Sequence, residues 1–328
     1  MADEKSCESC GSDCGSAGGR EKEKFNKDDK ARDRDGNVVE YNLAGAVDRR
    51  EYARSLGRIH HKVVVMSCKG GVGKSTVAVN LALSLAMAGR KVGLLDVDLH
   101  GPSVPKMLNM EGTIMKSAGN IIMAADYENL LKVVSLGFML GHKDDAVIWR
   151  GPSKISVLQQ FLRDVEWGTL DYLVIDAPPG TGDEPLTICQ LIPDIDGAVI
   201  VTTPQEVALA DVRKSVTFCR KINLPIIGVV ENMSNPSCPH CGKEVEMFGC
   251  GGGEKMAADM GVPFLGRVPM DPAVLRSGDL GKPFVYDDPG SEAYIAFSRI
   301  MRPVLKLKDT KEKPDLEGYR DPVGGGEV

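Results

Sequence analysis

Apolar residues in this chain fall into short continuous runs that alternate with stretches of helical spacing. Lys62–Ser67 is a β-branched run, and Lys91–Asp96, Leu131–Ser135, Tyr172–Asp176, Ala198–Thr203 and Ile226–Val230 repeat the pattern. Each is predicted as a strand, because unbroken Val/Ile/Leu runs suit a strand covered on both sides. Between them, Thr76–Ala88, Ile155–Arg163, Asp183–Leu191 and Val207–Lys221 place apolar residues at the spacing of one helix face. Strands of that kind separated by helices predict an α/β fold, a parallel sheet covered by helices on both faces. Leu43, Val47, Tyr52 and Leu56 recur at near-helical spacing and predict a lead-in helix over 41–60, ahead of a folded core over 61–307.

The two ends read differently. Residues 1–40 combine Cys7, Cys10 and Cys14 with dense mixed charge, and 308–328 are charged and Gly-rich. Both have too little apolar surface to offset the entropy of ordering, so both are expected to be disordered tails. The balance of 40 Lys+Arg against 46 Asp+Glu, net −6, gives no electrostatic reason to expect nucleic acid or an anionic membrane as partner. No apolar run approaches the ~20 residues of a spanning helix. Met1 to Lys5 is polar and no signal peptide, so a cytoplasmic location is expected. The cysteines number nine, an odd count. Without an export signal that argues against a disulfide framework and for metal, redox chemistry or burial.

The chemistry is densest at Cys68-Lys69-Gly70-Gly71-Val72-Gly73-Lys74-Ser75-Thr76, after a predicted strand and before a predicted helix. Glycines let backbone N–H groups wrap a phosphate, the helix N-terminus adds partial positive charge, Lys74 reaches the β- and γ-phosphates, and Ser75 can ligate Mg²⁺. ATP with Mg²⁺ is therefore the expected ligand; a plain Gly-rich turn is the competing reading. Cys68 stands where the general pattern has Gly, a position that shapes the loop without using its side chain on phosphate. Lys69 adds a second lysine, as in the P-loops of the MinD/ParA/nitrogenase iron protein class. That resemblance implies that Lys69 reaches across a dimer to the partner's nucleotide, where a cation stabilises charge on the transferred phosphoryl group.

Two carboxylates complete the set. Leu94-Leu95-Asp96-Val97-Asp98 ends one strand, placing Asp98 beyond the C-terminal edge where open α/β sheets bind ligands. Leu173-Val174-Ile175-Asp176 ends another before a Pro/Gly turn, which suits a carboxylate holding Mg²⁺ through water. Resemblance to the class assigns Asp98 to the attacking water or Mg²⁺ and Asp176 to the metal shell; Asp96 is read as capping or organising the loop. The Glu231-Asn232-Met233 segment resembles the one whose Asn reads adenine, a base edge that an amide can both donate to and accept from.

Cys238-Pro239-His240-Cys241-Gly242 is a CxxC knuckle, half of a four-thiolate site. A two-fold dimer would bring two copies together around one bridging cluster. A zinc site within one chain, using Cys238, Cys241, Cys250 and His240, competes with it. A thioredoxin-like pair fits less well, because the knuckle does not open a helix after a first βαβ strand.

The loop is followed by Asp98-Leu99-His100-Gly101-Pro102-Ser103, Trp149-Arg150-Gly151-Pro152, Asp176-Ala177-Pro178-Pro179-Gly180-Thr181-Gly182-Asp183 and Glu231-Asn232-Met233-Ser234. This ordered series, across His60 to Leu305, resembles the Mrp/ApbC-type iron–sulfur cluster carrier ATPases, which include the eukaryotic cytosolic scaffolds. The resemblance implies a P-loop NTPase fold and a homodimer carrying a 4Fe-4S cluster between two CxxC pairs. It also implies ATP binding or hydrolysis coupled to loading or transfer, with apo acceptor proteins and assembly machinery as partners. The eukaryotic scaffolds have four cysteines ahead of the core; Cys7, Cys10 and Cys14 are three, so a cluster with a non-protein ligand, a zinc site and an unliganded tail all stay open. Cys189 and Cys219 lie among apolar residues and are expected to be buried, while Cys250, in a Gly-rich run, is either a third ligand or part of a loop. A MinD/ParA-type regulatory ATPase and an electron donor like the nitrogenase iron protein are the alternative functions; against the first, Leu316 to Val328 is no basic amphipathic helix of the kind a membrane-targeting tail requires.

Overall fold

The computed structural model describes residues 55–98, 101–139, 151–235, 249–287 and 290–307, together with Tyr52, Cys241 and Val245. The chain divides into Met1–Tyr41 and Asn42–Val328, and all described residues belong to the second unit. The expected tails, with Cys7, Cys10 and Cys14, lie outside the described residues, as do Leu99, His100, Trp149, Arg150 and Cys238.

The chain runs β1 (Ile59–Met66), α1 (Lys74–Met87), β2 (Val92–Asp96), α2 (Val104–Met107), β3 (Ser117–Ala118), β4 (Ile121–Met123), β5 (Ala125–Tyr127) and β6 (Leu131–Ser135). It continues through α3 (Gly151–Asp164), β7 (Val165–Glu166), β8 (Leu170–Asp176), α4 (Asp183–Leu191), β9 (Gly197–Thr202), α5 (Glu206–Lys221) and β10 (Ile226–Ser234). The last elements are α6 (Gly252–Met260), β11 (Phe264–Pro269), α7 (Pro272–Asp279), α8 (Phe284–Asp287), α9 (Glu292–Ile300) and α10 (Arg302–Leu305). The main sheet has the order β11-β10-β9-β1-β8-β2-β6-β5, parallel except for the edge pair β5–β6. A second sheet, β3-β4-β7, is small.

Alternation along each strand splits the core in two. Val64 and Met66 of β1 and Leu173 and Ile175 of β8 pack with Phe161 of α3 and Val216 of α5. Val63, Val65 and Val174 face the other way, against Leu81 and Leu85 of α1 and Phe297 of α9. Both faces are covered, as the unbroken apolar runs require. Among the described residues no helix is long and apolar enough to cross a membrane.

Some boundaries differ from expectation. Tyr52, Ser55 and Leu56 are helical, but residues 57–58 turn and β1 starts at Ile59, within the stretch expected as helix. Pairing with β8 recruits it, since Ile59 lies opposite Leu170 and His61 opposite Tyr172. The histidine is accommodated by Asp196, whose Oδ1 lies 3.4 Å from His61 Nδ1 and whose Oδ2 accepts the Lys62 backbone N–H at 2.7 Å. β10 extends to Ser234, four residues past the apolar run, so Glu231 and Asn232 belong to the strand end.

Candidate functional site

The C-terminal ends of β1, β8 and β2 converge on the loop at 68–76. Gly180 N–H bonds Ser67 O at 2.8 Å and Ser67 Oγ donates to Lys69 O at 2.9 Å, which ties the loop entrance to the turn after β8. At the exit, Gly73 has φ 81°, a left-handed conformation that favours glycine, and α1 starts at the next residue. A Cβ on Gly73 would stand 2.1 Å from Asn232 Nδ2. That closeness reflects a bond: Asn232 Nδ2 donates to Val72 O at 2.9 Å. Asn232, expected to read a base edge, thus commits one amide N–H to holding the loop.

Lys74 is 6% exposed and turned into the site. Its Nζ lies 2.5 Å from Asp176 Oδ1, 3.2 Å from Ser75 Oγ and 3.6 Å from Asp98 Oδ2. Asp176 and Asp96 are direct partners across β8 and β2, both fully buried. Burial pushes the Asp176 carboxyl up from its ordinary range, against the pull of the Lys74 ammonium. Burial, and then the charge of Asp176, pushes Asp96 up to about 7. Asp96 organises its surroundings: Oδ1 accepts the Asp98 N–H at 3.1 Å and Oδ2 accepts the Ser135 hydroxyl at 2.8 Å. Sequence reasoning gave Asp96 only a loop-organising part, and these bonds are of that kind.

A cavity of about 240 Å³ opens between the loop and residues Asp98, Ser103 and Pro179. A second, of about 200 Å³, lies beside Lys69–Val72 and is closed by Gln205, Met233 and Met270. Lys69 is exposed and borders both. Ser75 and Asp98 line the first cavity and buried Asp176 shares the Lys74 ammonium with them, oxygen donors of the kind that fit a hard divalent cation such as Mg²⁺. Asp176 Oδ2 adds a specific sign of fit: it is buried with no hydrogen-bond partner among the described residues. The Cys68 thiol lies near Ser215 and Asp211 of α5, and burial followed by the Asp211 charge raises it.

Glu231 was quoted in a sequence motif but given no part. It is fully buried and bonded to Ser234, Gly251 and Gly253, partners up to 22 residues away that no local pattern could reveal. Of the knuckle, Cys241 is described and exposed, as is Cys250; Cys189 is partly and Cys219 fully buried. Among the described residues no three His, Cys, Asp or Glu side chains are grouped to hold a metal.

Known proteins supply the context for this geometry. The iron–sulfur cluster carrier protein of Methanocaldococcus jannaschii is 49% identical over 259 residues, 79% of this chain and 89% of that protein. The human cytosolic Fe-S cluster assembly factor NUBP2 is 47% identical over 255 residues, 76% of this chain and 94% of that protein. Among solved structures, a nucleotide-binding protein from Archaeoglobus fulgidus in complex with ADP is 36% identical with a TM-score of 0.66, covering 76% of this chain and 97% of its own. The cell division ATPase MinD of Pyrococcus furiosus is 25% identical with a TM-score of 0.56, covering 76% and 100%. Residues 58–305 match the family of the NUBPL iron-transfer P-loop NTPase, and this chain belongs to that family.

Proposed function

We propose that this chain is an iron–sulfur cluster scaffold and carrier. Two protomers hold a 4Fe-4S cluster between their Cys238 and Cys241 pairs and hand it to apoproteins, and ATP binding and slow hydrolysis at the 68–76 loop govern loading or release. The cluster is cargo, and ATP is the molecule spent. The names of the relatives support the cargo and a cytosolic place of action. The observation that carries the nucleotide half is the convergence of Ser75, Asp98 and Asp176 on Lys74, whose side chain lines the cavity beside the loop.

In this reading the backbone of 70–76 wraps the phosphates and Lys74 leaves Asp176 to meet the β- and γ-phosphates. Ser75, Asp98 and Asp176 hold Mg²⁺, which when bound offsets the charge on the phosphate oxygens. Asp98 orients a water whose oxygen bonds the γ-phosphorus as the bond to the β,γ-bridging oxygen breaks, so that ADP leaves with the bonding electron pair and the water's protons stay on the released phosphate. The partner's Lys69 meets the charge that builds there. Asn232 keeps the loop in shape through Val72 and leaves its carbonyl oxygen for the base.

Anaerobic reconstitution tests the reading. Wild-type protein is expected to bind about one four-iron cluster per dimer. Cys238→Ala or Cys241→Ala should lose the cluster while ATP affinity stays within about twofold. Equal iron in those variants overturns the proposal.

A further inference from the structure

The end of β10 touches both halves of this scheme. Glu231 Oε1 accepts the Ser234 hydroxyl at 2.7 Å and the Gly251 N–H at 3.0 Å, and Oε2 accepts the Gly253 N–H at 2.6 Å. Ser234 lies just before the segment that carries Cys238 and Cys241, and Gly251 just after it. One carboxylate therefore holds both roots of the cysteine segment. Because Ser234 and Gly251 share a single oxygen, neither root can follow a displacement of Glu231 without the other.

The clamp is fitted closely. α6 has no side-chain cap of its own, and the Glu231 carboxylate supplies acceptors and negative charge at its N-terminus. A Cβ on Gly253 would stand 2.9 Å from Glu231 Oε2 and 3.1 Å from Glu231 Cβ, so only glycine admits the approach. Arg267 Nε, 3.6 Å from Oε1, adds a cation on the outer side.

The next residue is tied to the nucleotide loop. Successive side chains on a strand point to opposite sides, and Asn232 reaches Val72 O while Glu231 reaches α6. Met233 follows with φ 56°, and the pairing of β10 with β11 shifts register between Glu231 and Ser234. A left-handed methionine is strained and persists only where its neighbours hold it. Met233 also lines the cavity beside Lys69–Val72. A ligand in that cavity meets a strained residue whose two neighbours in the strand hold the phosphate loop and sit beside the clamp.

We infer that Glu231 is the positioning residue that couples nucleotide occupancy of the 68–76 loop to the cysteine segment rooted at Ser234 and Gly251. The inference rests on the proposed function for its purpose, but the coupling can be read without a cluster.

The test is the rate at which iodoacetamide alkylates Cys241 in the full chain, followed by mass spectrometry with and without MgATP. In the wild type, ATP is expected to change that rate about fivefold or more, the lower end of ordinary coupling between sites. Glu231→Gln keeps the volume but puts a donor where an acceptor is needed. It should leave ATP affinity within about twofold and bring the labelling ratio close to one. Ser234→Ala removes only the upstream root and should give an intermediate ratio; it decides the matter if Glu231→Gln does not fold. A wild-type ratio of one, or an unchanged ratio in the variant that folds, overturns the inference. Iron uptake measured in parallel separates the two claims: a wild type that takes up no cluster yet shows ATP-dependent labelling ends the carrier reading and leaves the role of Glu231 standing.

Discussion

The Lys74 ammonium lies 2.5 Å from Asp176 Oδ1, and both side chains are buried. The lysine expected to serve phosphate is thus also the principal counter-charge of a carboxylate at the centre of the sheet. Removing one member of a buried pair leaves an uncompensated charge and costs about 3–5 kcal/mol. Lys74→Ala should therefore lower stability in urea denaturation without nucleotide by about 3 kcal/mol, besides abolishing ATP binding. Adding Asp176→Asn should restore most of the stability and none of the binding, which separates the two parts of the lysine.

Asp96 gives a pH signature. Its carboxyl is held near 7 in the folded chain by burial and by Asp176, and unfolding returns it to about 4. Between those values the folded state binds the proton more tightly, so this group lowers stability as pH rises, by at most about 1.4 kcal/mol per pH unit. Asp96→Asn should remove that slope, as read from denaturation midpoints without nucleotide. A variant curve parallel to the wild type would contradict the assignment.

The chemistry was legible where it is local. The 68–76 loop needs only its own glycines, lysines and flanking elements, and the structure puts it after a strand and at the start of α1. The central strands were legible because both of their faces are buried. The edges were not: β5 is three residues long and contains Asp126, and β11 includes Gly266 and Arg267, so neither carries an apolar run. Glu231 escaped because its partners are remote in sequence, and a buried carboxylate looks the same in sequence as an exposed one.

Gly93 offers a test of the core. A Cβ there would fall 2.8 Å from both Trp167 Cζ3 and Leu170 Cδ1. Trp167 is almost fully buried and cannot swing aside. Overpacking of this kind costs about 1–3 kcal/mol. Gly93→Ala should lose about 2 kcal/mol by urea denaturation while ATP affinity of the folded fraction stays as in the wild type.

Asn232→Ala tests the loop. It leaves the Val72 carbonyl without the amide that fixes it. A lost hydrogen bond of that kind is worth about 1 kcal/mol, so ADP affinity by calorimetry should fall about five- to tenfold. Unchanged affinity would show that the bond does not shape the bound loop.

Burial sets three of the described thiols apart. Burial pushes Cys189 and Cys219 up to about 12, and it raises Cys68 inside the phosphate loop. Cys241 and Cys250 stand in solvent. Iron and zinc bind thiolates, so a thiol that keeps its proton is withheld from them. Among the described residues the exposed thiols are Cys241 and Cys250, so a metal ion arriving from solvent meets them before the half-buried thiol of the loop and the thiols of the core.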